Sequence, residues 1–78
     1  RSDISAKIVE LEKQVESLLD EQSTYQMELN KLVVQSEKPV DYEQKVSELS
    51  GKIIKLRNEI RDAKFQLYGM MYEVYKKQ

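Results

Sequence analysis

From Tyr42 to Val74 the chain repeats apolar residues at intervals of 4, 3, 4, 3 without a break: Tyr42, Val46, Leu49, Ile53, Leu56, Ile60, Ala63, Leu67, Met70 and Val74. A helix with this spacing carries its apolar side chains as one narrow seam, which must lie against another helix to leave water. In heptad letters, Tyr42, Leu49, Leu56, Ala63 and Met70 fall at d, and Val46, Ile53, Ile60, Leu67 and Val74 at a. The expected fold class is all-α, in the form of a coiled coil.

A second heptad set precedes this one. Ile4, Leu11, Leu18, Tyr25 and Leu32 read as d, and Ile8, Val15, Gln22 and Leu29 as a. Ser2 or Asp3 is a suitable cap at the start, because a short side-chain oxygen accepts from an orphan N–H of the first turn. Gln22 interrupts the apolar seam. A buried amide there must find a partner and can fix register or oligomer state; the alternative is a side chain that leans out to water.

The pattern fails at Ser36-Glu37-Lys38-Pro39-Val40-Asp41, and Tyr42 resumes it three residues out of phase. Pro39 lacks an N–H and clashes with the preceding turn, which costs about 3 kcal/mol inside a helix. Lys38, just before it, is pushed toward extended backbone. Asp41 followed by Gln44 resembles a capping box. The expected organisation is a helix over about 3–36, a turn over 37–41 and a helix over about 41–76.

Two topologies satisfy both seams. In an antiparallel hairpin, Ile4 meets Val74, Ile8 meets Met70, Leu11 meets Leu67 and Val15 meets Ala63. Leu18 meets Ile60, Gln22 meets Leu56, Tyr25 meets Ile53, Leu29 meets Leu49 and Leu32 meets Val46, every pair of numbers summing to 78 and so centring the fold-back on Pro39. Lys7 with Glu73, Glu28 with Lys52 and Glu12 with Lys64 would then attract across the seam, and Glu21 with Glu59 would repel. The alternative is a parallel two-stranded coiled coil. The β-branched residues at a (Val46, Ile53, Ile60, Val74) and leucine at d (Leu49, Leu56) suit it, but a proline and a phase slip would sit inside one rod. The coincidence of the register with Pro39 favours the hairpin.

Composition removes several classes of function. The 78 residues include no Cys and no His, so disulfides, thiolate metal sites, the usual general base and the commonest nitrogen ligand are all missing. Carboxylates are spread over helix surfaces and do not converge on a pocket, so no catalytic residue is assigned and the chain is read as non-enzymatic. Glu37, Asp41 and Glu43 cluster at the turn, where compensation of a helix dipole explains acidic residues better than a metal does. No cofactor and no small-molecule substrate is expected.

The 13 basic and 14 acidic residues are mixed and give a net charge of −1, which argues against a nucleic-acid surface. A zipper transcription factor would need a basic helix upstream of Tyr42, where Glu37 and Asp41 stand instead. A membrane-surface helix would need a Lys/Arg-rich face, and no apolar run approaches the roughly 18–20 residues of a membrane span. No signal peptide is apparent. These features fit an intracellular protein, cytoplasmic or nuclear. The chain begins at Arg1 and reads as one coiled-coil segment of a larger protein.

Phe65, Tyr68, Tyr72 and Tyr75 form a second stripe at positions f, b, f and b, and Met71 at e links it to the seam. So many aromatics on the outer face of three turns suggest a contact surface for a partner helix or a second copy; the plainer alternative is rings lying over neighbouring Lys and Gln stems. Gly51 and Gly69 fall at f and c, where a close approach of another backbone or a tolerated surface glycine are the two readings. A two-helix hairpin buries only one stripe per helix, so a dimer or a partner helix is expected in either topology.

The function expected is a coiled-coil assembly module that mediates self-association and positions a larger scaffold protein. The alternative is an adaptor that recruits a partner through Phe65, Tyr68, Met71, Tyr72 and Tyr75. Heptads occur in many unrelated proteins and single out no family.

Overall fold

The structure is a computed structural model and describes residues 2–77. It consists of two helices, α1 (Ser2–Val34) and α2 (Tyr42–Lys76), packed against each other as a helical hairpin. The body is 58 × 15 × 14 Å. A continuous helix of this chain would be roughly 115 Å long at 1.5 Å per residue, so α2 must return along α1. Local contacts agree with that: Ile8 near the start of α1 shares a groove with Val74 near the end of α2, and Lys52 Nζ sits 5.0 Å from the Tyr25 ring centre.

The seam explains the packing. Leu11, Val15 and Leu32 of α1 are buried, as are Ile53, Leu56, Ile60, Ala63 and Leu67 of α2. Ile4, Ile8, Leu18, Gln22, Tyr25 and Leu29 are half-buried, and so are Tyr42, Val46, Leu49, Met70 and Val74. Outside this set only Pro39, Ser50 and Lys64 are half-buried among residues 3–77, and the rest are exposed. Two helices shield only the line between them, and so the core is deepest along 53–67 and opens toward both ends.

Helix α1 stops at Val34, about two residues before the expected end, and the turn runs over 35–41. The Lys38 ammonium donates to the carbonyl oxygens of Val33 and Gln35, each at 2.6 Å. Those carbonyls belong to the orphaned C-terminal end of α1, where a cation also meets the negative end of the helix dipole. The same ammonium lies 5.0 Å from the Tyr42 ring centre, so one side chain ties the end of α1 to the start of α2. Replacing Lys38 by Met should lower stability by about 0.5–1 kcal/mol, discounted for exposure. Urea unfolding followed by helical circular dichroism reads this directly; an unchanged midpoint would remove Lys38 from the account of the turn.

Three local expectations are corrected. Asp41 precedes α2 but makes no side-chain capping bond, because φ −98° and ψ 28° are not the extended backbone that aims a cap oxygen at the first N–H groups. Its carboxylate instead lies 3.9 Å from Lys45 Nζ, its carbonyl accepts from Lys45 N–H at 2.9 Å, and Gln44 Nε2 approaches Glu48 Oε1 at 3.4 Å. At the other end, Asp3 is already inside the first turn of α1 and is not its cap; the Ser2 side chain lies outside the described residues.

The third correction concerns charge. None of the expected cross-seam ion pairs closes among the described residues. Lys7 pairs with Glu10 of its own helix at 3.8 Å, and Lys52 lies over Tyr25 and not beside Glu28. Exposed pairs are worth too little to dictate side-chain positions.

Gln22 is half-buried and lines an open groove beside Ser23, Gln26 and Asn30, so its amide has access to water. No buried side-chain N or O among the described residues lacks a partner. A Cβ added at Gly51 or Gly69 would meet nothing within 4 Å, so no close approach within the hairpin requires either glycine.

Candidate functional site

In a fold-back coiled coil, positions e and b of both helices lie to one side of the seam, and g and c to the other. The two flanks of this hairpin differ in chemistry. A groove on the g side is lined by Glu21, Tyr25, Lys52, Lys55, Leu56 and Glu59. It brings Glu21 and Glu59 to the same place, with two lysines to offset them, and Lys52 lies over the Tyr25 ring. Such a surface is suited to water.

The e/b flank carries exposed apolar side chains among its charged and polar ones. Val9 at b, Leu19 at e and Met27 at f are exposed on α1, and Ile54 at b is exposed on α2. Leu19 and Met27 edge a groove that reaches across to Ile53 and Arg57. Further along the same flank, a second groove is lined by Ile8, Tyr68, Met71, Tyr72, Val74 and Tyr75.

This second groove brings most of the aromatic stripe together. Tyr68, Met71, Tyr72 and Tyr75 form its walls and the seam residues Ile8 and Val74 its floor. Phe65 is not among its lining residues but is exposed one turn before it. The side chains of Phe65, Tyr68, Met71, Tyr72 and Tyr75 are between 43% and 76% exposed. Lys76 Nζ lies 6.0 Å from the Tyr72 ring centre, which leaves most of the stripe uncovered by its own helix. The stripe is thus continuous with the open end of the seam and does not stand apart on the back of α2.

Sequence reasoning from the stripe alone missed Val9, Leu19, Met27 and Ile54. Their heptad letters held the signal: apolar residues at e, b and f on both helices, with charged residues crowding g and c.

Among the described residues, no group of three or more acidic, His or Cys side chains could hold a metal ion. No helix there is long and apolar enough to cross a membrane. No protein-family model matches the chain, and comparison with curated proteins and with solved structures gives no significant match.

Proposed function

We propose that this chain is a non-enzymatic assembly module, a coiled-coil hairpin that self-associates and thereby positions a larger scaffold protein in the cytoplasm or nucleus. One observation carries the reading: the seam is half-open at both ends and runs into a flank with exposed apolar side chains. Water-exposed aliphatic and aromatic side chains gathered along one side of a thin body favour burial against a further helix layer. Neither a cofactor, a nucleic acid, a membrane nor a small-molecule substrate has a part in this function.

Sedimentation equilibrium of the chain, from micromolar to millimolar concentration, tests it. The mass should rise to at least that of a dimer, with thermal stability rising alongside it by mass action. A fully helical monomer throughout that range would contradict the proposal.

The aromatic groove supports a second reading, an adaptor that recruits another helical protein. Tyr rings offer large contact area at small entropic cost while their hydroxyls stay in water. In Tyr68→Ser with Tyr72→Ser, assembly or partner capture should weaken by at least tenfold, with helicity retained. Undiminished binding in that double variant excludes the stripe as a contact surface.

A further inference from the structure

We propose that the e/b flank, presented by Val9, Leu19, Met27, Ile54, Tyr68 and Met71, is covered by the same flank of a second copy of this chain. The two hairpins are related by a two-fold axis parallel to their length. The result is a four-helix bundle in which α1 of each copy lies against α2 of the other. This inference rests on the self-association reading and names the surface and geometry that carry it.

The argument begins with charge. Glu12 and Glu16 lie on the e/b flank of α1, and Arg57, Arg61 and Lys64 on that of α2, whose one acidic residue there, Glu43, stands apart at the turn end. Among the described residues the ion pairs are Lys7–Glu10, Lys45–Asp41 and Arg61–Asp62, so Glu12, Glu16 and Lys64 take part in none. Arg61 holds only its sequence neighbour, at 3.3 Å, with more than half of both side chains exposed. Away from the turn the flank therefore carries only acidic charge on α1, at Glu12 and Glu16, and only basic charge on α2, at Arg57, Arg61 and Lys64, at neighbouring levels of the hairpin.

Symmetry turns that arrangement into complementarity. In the fold-back register, residue i of α1 lies level with residue 78 − i of α2, so Glu12 is level with Gln66 and Glu16 with Asp62. A two-fold axis along the hairpin keeps every level and places α1 opposite α2 of the second copy. Glu12 and Glu16 of each copy then face Arg61 and Lys64 of the other, twice per dimer. Apolar side chains match as well: Val9 comes level with Tyr68 and Met71, and Met27 with Ile54. An axis across the hairpin would place α1 against α1, leaving Glu12 and Glu16 without basic residues opposite. The g/c flank, with charges of both signs around Lys52 and Glu59, shows no such segregation.

Size is adequate. One long face of a body 58 × 15 × 14 Å has an area on the order of 800 Å², which is what each partner gives to a standard stable interface. Adjacent helices in the bundle are all antiparallel, the common arrangement of four-helix bundles with short connections.

Charge reversal and mixing test the geometry. Glu12→Lys with Glu16→Lys sets lysine against Arg61 and Lys64 at both contacts, and Arg61→Glu with Lys64→Glu sets acid against acid. Each variant alone should self-associate at least tenfold more weakly than the unaltered chain, since like charges placed face to face are strongly disfavoured. Mixed one to one, the two variants should form a heterodimer of near-original affinity, because both contacts are then attractive. Changes within a hairpin cannot produce that rescue. Sedimentation of each variant and of the mixture, with circular dichroism to confirm equal helicity, reads the result. Variants that associate normally, or a mixture as weak as its components, would overturn this surface while leaving self-association intact. A monomeric unaltered chain would overturn both.

Discussion

Replacing Ile53 by Ala should cost the hairpin about 2–4 kcal/mol, while the same change at Ile54 should cost less than about 0.5 kcal/mol. The two residues are adjacent and chemically identical, yet Ile53 is 5% exposed and Ile54 is 54% exposed. Ile53 sits at a, in the run of buried α2 residues that includes Leu56 and Ile60. Cutting it back removes three carbons from a packed site and leaves a cavity that two rigid helices cannot fully close. At Ile54 the lost contacts are with solvent, and alanine is the better helix former. Urea unfolding of both variants, at concentrations where the midpoint no longer depends on concentration, gives the comparison. A larger loss at Ile54 than at Ile53 would mean that the seam is placed one residue out. At higher concentration Ile54→Ala should gain a second effect, weaker self-association, because that side chain is part of the flank proposed to meet the second copy.

Converting both glycines to alanine should raise stability by about 1–2 kcal/mol in total. Each lies in the interior of α2, where glycine pays for backbone freedom lost on folding, and each has open space where a Cβ would stand. The gain requires that nothing else occupies the space. Gly69 at c lies on the g/c flank, away from the proposed interface, so Gly69→Ala alone should keep its association constant while its thermal midpoint rises. Loss of association in this single variant would show that another chain approaches α2 at Gly69 and that the covered surface is not the e/b flank.

The two-helix architecture was legible because a heptad leaves an unmistakable period, and because Pro39 and the phase slip fall together. What the sequence did not reveal depends on single side chains. Asp41 has the right chemistry for a cap, but the turn that enters α2 gives it the wrong backbone angles. Lys38, read only as the residue before a proline, turns its ammonium back onto the carbonyls at the end of α1. Glu73, Glu28 and Lys64 have the right signs for cross-seam pairs, but their long exposed side chains gain too little from pairing to be held there.

The candidate surface was partly legible for a related reason. A run of four aromatics stands out in any sequence. Its neighbours Val9, Leu19 and Met27 are on the other helix, and only the fold-back brings them to the same flank as Ile54 and Tyr68. Reading one helix at a time finds a stripe; placing both in register finds a face. The same step brings Glu12 and Glu16 level with Arg61 and Lys64, which no inspection of either helix alone would pair.

All of this depends on the return of α2 along α1, and one distance decides it. The chain has no cysteine, so Glu10→Cys with Gln66→Cys accepts spin labels at two exposed sites and nowhere else. Diluted into an excess of unlabelled chain, each labelled molecule reports only its own geometry. In the hairpin the helix axes are about 10 Å apart, and the labels should lie within roughly 30 Å of each other. A chain extended as a continuous rod would separate them by about 80 Å, and that result would contradict the hairpin and with it the flank, the register and the proposed bundle.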